Sequence, residues 1–131
     1  MSRIVVNGTF DVLHRGHVEL LKYASLLGTT LLVCIDSDAR VSRLKGPTRP
    51  VYTQDDRRFV LESLRYVDHV KIFDTNEDLE QILKQYQPDI MVKGSDWRDK
   101  PIVGSQYCKH IEFFGRIEPY SSTRSINIAG I

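Results

Sequence analysis

Gly8-Thr9-Phe10-Asp11-Val12-Leu13-His14-Arg15-Gly16-His17 is the stretch on which the fold turns. Before it lies Arg3–Val6, a β-branched run that predicts a strand. After it lies His17–Leu27, where Val18, Leu21, Ala24 and Leu27 recur at helical spacing. The string therefore joins a strand to a helix, and His17 falls in the helix's first turn. Helix N-termini present free N–H groups and a positive dipole end, which together favour phosphate. Gly16 removes a side chain where a phosphate needs close backbone approach. His14 and His17 lie three apart, so one turn can aim both at a single anion. A capping histidine beside an exposed one would also fit that spacing. The whole ten-residue string at a strand-to-helix turn favours the anion.

The alternation continues outward. Thr30–Ile35 is nearly all apolar, as suits a strand covered on both faces. Gly28 reads as the C-cap of the first helix. Ser37–Leu44 reads as a short helix and Gly46-Pro47-Thr48-Arg49-Pro50 as a loop. Thr53 can cap the next helix, with Asp55 and Asp56 in its first turn and Phe59, Val60, Ser63 and Leu64 as its apolar stripe. Val67–Phe73 is a third strand. Thr75 or Asn76 opens a helix through Tyr86, with Leu79, Ile82, Leu83 and Tyr86 on one face and Pro88 as its stop. Asp89–Val92 and His110–Phe114 complete the strands, and a short helix is expected from Ser121–Thr123. This order implies a Rossmann-like α/β fold, a five-stranded parallel sheet with helices on both faces. Ligands of such sheets bind beyond the carboxyl ends of the strands, near the switch point. Gly8–His17, Asp36–Lys45, Lys93–Trp97 and Arg116–Arg124 occupy those positions.

The 131 residues are the length of one domain, and residues 1–131 are expected to form it. Hydrophobic residues at 41% and charged residues at 27% match globular usage. Lysine plus arginine is 18 and aspartate plus glutamate 17, a net +1 that argues against a general nucleic-acid or membrane-surface binder. Affinity for an anion must then come from local placement of charge. Cys34 and Cys108, with no C-x-x-C or Cys/His cluster, argue against a disulfide scaffold or a protein-ligated metal. Met1-Ser2-Arg3 enters the first strand with no apolar leader, so a soluble cytoplasmic protein is expected.

Local charge is uneven. Residues 39–54 hold Arg40, Arg43, Lys45 and Arg49 and no acid, while Glu77-Asp78-Leu79-Glu80 is an acidic helix start and solvated face. A flexible basic segment can close on an anion and exclude water; a solvated helix end is the plainer alternative. Tyr120-Ser121-Ser122-Thr123-Arg124 can cap the last helix or offer hydroxyls, N–H groups and a cation to a phosphate. Asp36 can contact a hydroxyl or cap the next turn. Asp96 can hold a ligand or fix the Trp97 loop, and Trp97 can stack on a base or pack under the sheet edge.

The ten-residue string resembles the H-x-G-H motif, in its G-T-F-D-x-x-H-x-G-H form, of the cytidylyltransferase-like nucleotidylyltransferases. Arg43-Leu44-Lys45-Gly46-Pro47-Thr48-Arg49-Pro50, Ile90-Met91-Val92-Lys93-Gly94-Ser95-Asp96 and Ile102-Val103-Gly104-Ser105 resemble segments of the adenylyltransferase domain of ADP-heptose synthases. Leu64-Arg65-Tyr66-Val67-Asp68, Asp96-Trp97 and Arg116-Ile117-Glu118 with Ser121-Ser122-Thr123-Arg124 resemble glycerol-3-phosphate cytidylyltransferase. The last motif matches the family's I-S-S/T-T-x-[KR], with Pro119 and Tyr120 in place of the usual glycine and isoleucine.

The resemblance implies nucleotidyl transfer from an NTP, with ATP favoured, to a small heptose-1-phosphate-like sugar phosphate, releasing pyrophosphate and forming an NDP-sugar. The alternative is CTP-dependent transfer to glycerol 3-phosphate or a similar alditol phosphate. By resemblance His14, His17 and Lys45 are catalytic, the histidines donating to phosphates and Lys45 bridging attacking and leaving phosphates. Gly8, Thr9, Phe10, Asp11, Gly16, Asp96, Arg116, Glu118, Tyr120, Ser121, Ser122, Thr123 and Arg124 join the histidines in holding the nucleotide. Asp36, Arg49, Arg57 and Lys93 join Lys45 in holding the acceptor. Arg57 also matches an arginine of the cytidylyltransferases, though an exposed helical ion pair is its plain alternative. Mg²⁺ is implied with the triphosphate, and a homodimer is implied by the habit of relatives. A nucleotide sensor that releases no pyrophosphate, and an adaptor that binds no ligand, are the non-enzymatic alternatives.

Overall fold

A computed structural model of the chain describes residues 2–115. Five strands, β1 (Arg3–Gly8), β2 (Thr30–Asp36), β3 (His69–Phe73), β4 (Ile90–Gly94) and β5 (His110–Phe114), alternate with helices α1 (Arg15–Ser25), α2 (Asp38–Lys45), α3 (Gln54–Glu62) and α4 (Asn76–Tyr86). Short 3₁₀ turns at Ser95–Trp97 and Ser105–Tyr107 link β4 to β5. All strands are parallel, in the order β3-β2-β1-β4-β5. The chain runs outward from β1 through β2 to β3, then returns to lay β4 on the other side of β1. That reversal puts the switch point between β1 and β4.

The apolar run of β2 divides by strand alternation between two cores. Leu31, Val33 and Ile35 pack with Ile4, Val6, Leu21 and Leu61 on the face covered by α1 and α3. Leu32 and Cys34 pack with Val5, Met91, Leu79 and Leu83 on the face covered by α4. Each fully buried leucine contributes roughly 1.5–3 kcal/mol by leaving water. Helix starts follow the cap residues: Ser37 accepts from Arg40 N–H, Thr53 from Asp56 N–H, and Thr75 forms a capping box with Asp78. Gln87, left-handed at φ 53°, ends α4 before Pro88. Strand edges are stitched by carboxylates. Asp68 accepts from Leu31 N–H at 2.7 Å, which delays β3 to His69 instead of Val67, and Asp89 accepts from Arg3 N–H at 2.7 Å.

Two local expectations are corrected. Gly28 is not the cap of α1; Leu26 is, in an ordinary helical conformation. A side chain at Gly28 would place its Cβ 2.6 Å from the Ser2 carbonyl oxygen and 2.8 Å from Ile4, so glycine there serves close packing. The buried face of α3 is Arg57 and Leu61, while Phe59 is 72% exposed. Arg57 is drawn inward by the carbonyls of Thr9 and Asp36 at the strand ends. The expected last helix at Ser121–Thr123 falls outside the described residues. Among those that are described, no helix is long and apolar enough to cross a membrane.

Candidate functional site

The carboxyl ends of β1, β2 and β4 open onto a cleft of about 430 Å³. Its floor and rim include Asn7, Thr9, His17, Asp36, Lys45 and Lys93, drawn from three strands, two helices and the loop after β1. This is the switch-point position that doubly wound sheets use for ligands.

The first helix begins with an unusual cap. His14 takes the N-cap place, and its Nδ1 accepts from Gly16 N–H at 3.0 Å. His17, at the third helical position, turns its Nδ1 back to accept from His14 N–H at 3.1 Å. The two rings stack, with centroids 3.9 Å apart. A ring nitrogen that accepts a hydrogen bond carries no proton, so both neutral imidazoles bear theirs on Nε2. Charge is disfavoured as well. Burial pulls the His17 pKa down to about 3, helped by His14 and Lys45, and burial also lowers that of His14. Phe10, left-handed at φ 51°, sets its ring edge-on to His17 at 5.3 Å and covers it from the core side. The sequence expects one capping histidine or two aimed histidines; the structure makes His14 the cap and sets His17 on the cleft.

Beside the pair runs a chain of contacts. Lys45 Nζ donates to Thr9 Oγ1 at 3.5 Å, Thr9 Oγ1 donates to Asp36 Oδ2 at 2.7 Å, and Arg40 Nε donates to Asp36 Oδ1 at 2.9 Å. Burial pulls the Lys45 pKa below the ordinary lysine value while Asp36 pulls it up. Arg49 stands near enough to lower it further. On the other side of β1, burial takes Lys93 down to about 8 despite Asp36 and Asp96. Its ammonium lies 4.3 Å from the centre of the Trp97 ring, so Trp97 serves as a cation's platform.

Three expectations are revised by these contacts. Arg57 does not face the acceptor. It is 2% exposed, and its guanidinium donates to the carbonyls of Tyr52, Thr9 and Asp36 and to the Asp38 carboxylate. It is a brace that ties α3 to the ends of β1 and β2. Asp11, expected on the nucleotide, is buried and accepts from Val51 N–H at 2.6 Å and Tyr52 N–H at 2.8 Å. It pins the segment that follows Lys45 and Arg49. The basic stretch is also less free than its lack of acids implies. Arg40 and Arg43 are engaged by Asp36 and Asp74 from outside it, and Arg40 and Lys45 both line the cleft.

Of the other expected residues, Gly8 and Asp96 line the cleft and Gly16 spends its N–H on the cap. Arg116, Glu118, Tyr120, Ser121, Ser122, Thr123 and Arg124 lie outside the described residues. Asn7, which the sequence reading does not single out, lines the cleft, as does Arg40 of the basic stretch. Strand alternation is the signal that could have found Asn7, since it places Asn7 on the same sheet face as Asp36 and Lys93.

The profile of the cytidylyltransferase-like family matches residues 5–126. The chain is 46% identical over 120 residues to the bifunctional protein HldE of Campylobacter concisus (strain 13826), covering 92% of this chain and 25% of that one. It is 41% identical over 123 residues to the bifunctional protein HldE of Helicobacter pylori (strain Shi470), covering 94% and 26%. The chain thus spans about a quarter of the length of the curated relatives it matches. Among solved structures it resembles the lipopolysaccharide core biosynthesis protein from Thermoplasma volcanium GSS1, with a TM-score of 0.68 and 26% identity over 92% of this chain and 99% of that one.

Proposed function

The chain belongs to the cytidylyltransferase-like family, and from that membership we propose that residues 1–131 form one nucleotidyltransferase domain. It transfers an adenylyl group from ATP to a heptose-1-phosphate-like sugar phosphate, forming an ADP-sugar and releasing pyrophosphate. An acceptor phosphate oxygen attacks the α-phosphorus in line, the bond to the bridging oxygen breaks, and the electron pair leaves with pyrophosphate. A phosphomonoester is already an anionic nucleophile, so the protein's task is positioning and charge stabilisation.

The observation that carries this reading is the histidine pair, held neutral with Nε2–H as its donors. These N–H groups need no protonation to serve a phosphate, and they are fixed before substrate arrives. One preorganised donor of this kind is worth roughly 3–4 kcal/mol in the transition state. Lys45, linked through Thr9 to Asp36, sits on the cleft's second side, suited to span the attacking and leaving phosphates. Lys93 and Asp36 then face the acceptor, and Arg116, Glu118, Tyr120, Ser121, Ser122, Thr123 and Arg124 are assigned to the nucleotide by family motif alone. By resemblance to the family, Mg²⁺ is taken to enter with the triphosphate. When bound it would neutralise charge there, held mostly by phosphate oxygens and water, with the cleft carboxylates Asp36 and Asp96 the residues that would stand beside it.

Support for the sugar-phosphate acceptor comes from the segments around Lys45, Lys93 and Gly104 that resemble ADP-heptose synthases, and from the 46% identity to an HldE protein. The glycerol-3-phosphate-like segment Leu64–Asp68 has a structural job here, because Asp68 anchors β2. A cytoplasmic setting fits the two unpaired cysteines. A homodimer fits exposed Tyr52, Phe59 and Val60, and sedimentation would test it. The deciding experiment measures pyrophosphate release from ATP, CTP, GTP and UTP against aldose 1-phosphates and glycerol 3-phosphate. ATP with an aldose 1-phosphate is the expected pair. CTP with glycerol 3-phosphate would move the assignment to the other acceptor class, and no release from any pair would favour a sensor.

A further inference from the structure

We propose that Asn7 is a specificity-determining residue of this cleft, its side-chain oxygen accepting a hydrogen bond from a hydroxyl of the acceptor. The inference rests on the nucleotidyl-transfer reading and adds that the enzyme selects a polyhydroxylated acceptor.

Asn7 Oδ1 is shut off from solvent and has no donor among the described residues. Buried polar groups are nearly always paired, and an exception at a cleft points to a partner that binds there. Asn7 stands near the end of β1, at the switch point. Alternation fixes its direction. Val5 belongs to the α4-side core with Cys34 and Met91, so Asn7, Asp36 and Lys93, each two residues further along, share that side. The β1–β4 register pairs Val6 with Val92, which sets Asn7 beside Lys93. Asp36, Asn7 and Lys93 thus stand on three neighbouring strand ends. Phe10, which packs on His17, belongs to the opposite, α1-side core.

The three groups differ in what they have left to give. Asp36 already accepts from Thr9 and Arg40, and Lys93 lies against Trp97. Asn7 Oδ1 remains as an acceptor, and an amide oxygen pairs only with an N–H or O–H. Phosphate oxygens lack both, so Asn7 reads the part of a substrate that carries hydroxyls. Phe73, Leu79 and Ile102 give the cleft an apolar wall, suited to the C–H face of a sugar. The nucleotide's ribose also has hydroxyls. The acceptor is favoured because Asn7 lies between the β2 side, where Lys45 and Asp36 meet, and Lys93.

The test uses Asn7→Leu, close in shape and free of polar atoms, and Asn7→Ala as a second variant. Replacing an unpaired buried polar group with an apolar one of similar shape is near neutral for folding. Asn7→Leu is therefore expected to melt no lower than wild type. Both variants should raise KM for the acceptor at least tenfold and change KM for the nucleotide less than twofold. Wild type should discriminate at least tenfold against one monodeoxy acceptor, and the variants should not. An unchanged acceptor KM, or a nucleotide KM that rises in step, overturns the proposal. A binding arm separates this inference from the reading beneath it. Mannose 1-phosphate without nucleotide should raise the melting midpoint of wild type but not of Asn7→Leu. If that difference appears without pyrophosphate release, the transferase reading fails and the assignment of Asn7 stands. If mannose 1-phosphate, glycerol 3-phosphate and their turnover are all indifferent to Asn7, the assignment of Asn7 fails.

Discussion

Replacing Arg57 with methionine keeps the length of the stem and removes every donor. The guanidinium spans Tyr52 O at 3.0 Å, Thr9 O at 3.0 Å, Asp36 O at 2.8 Å and Asp38 Oδ1 at 2.9 Å. These losses are unequal. Asp38's side chain is 41% exposed and Tyr52 is open to solvent, so water can replace the donor at both. Thr9 and Asp36 carry their carbonyls at the buried strand ends, where a lost donor costs about 1–3 kcal/mol each. Methionine recovers part of this by not burying a charge. The net loss expected is about 3 kcal/mol, a large share of the roughly 5–15 kcal/mol that holds a domain together. With a urea m-value of about 2 kcal/mol/M, the unfolding midpoint should fall by about 1.5 M. Urea titration followed by circular dichroism reads this directly. In steady-state kinetics on the folded fraction, the acceptor KM should not rise selectively. A stability loss below about 1 kcal/mol, with a selective tenfold rise in acceptor KM, would refute the brace and restore Arg57 as an acceptor contact.

Three further outcomes follow from the same site. His17 gains its proton at about pH 3 in the fold but near 6.5 when unfolded, so between those values the unfolded chain binds more protons. Stability should therefore fall as pH drops from 6.5 toward 3, and His17→Gln should flatten that slope in urea midpoints measured across the window. Lys45→Ala should lower kcat far more than it raises the nucleotide Kd, measured by single-turnover kinetics and calorimetry, because Lys45 is assigned to charge that develops during transfer. Lys93, held at about 8, should lose its charge as pH rises, so kcat/KM for the acceptor should decline above pH 8. Lys93→Arg should move that limb upward.

The sheet was legible because its signals are local. The run Thr30–Ile35 is apolar on both faces, and Ser37, Thr53 and Thr75 sit where helices need an oxygen at the cap. The histidine motif was legible for the same reason, since its spacing and its turn lie within ten residues. What the sequence hid is long-range. The stripe Phe59–Val60 looks like the buried face of α3, yet the helix turns Arg57 inward because the carbonyls of Thr9, just past β1, and of Asp36, at the end of β2, await it 48 and 21 residues away. Asp11 looks like a ligand carboxylate until the amides of Val51 and Tyr52, 40 and 41 residues on, are seen to occupy it. The acid-free stretch around Lys45 likewise looks unpaired at Arg43, because Asp74 reaches it from 31 residues away. The directions of the histidine protons were also hidden, because they depend on a reciprocal cap that exists only once the helix has formed.

The central claim is that the buried, neutral His17 presents Nε2–H to the transferring phosphate. It is tested by kcat for pyrophosphate release in His17→Ala, at pH 7.5 with ATP, Mg²⁺ and the best aldose 1-phosphate. The expected fall is about 10²–10³-fold, with a native circular dichroism spectrum. Turnover within a few-fold of wild type in the folded variant would contradict it.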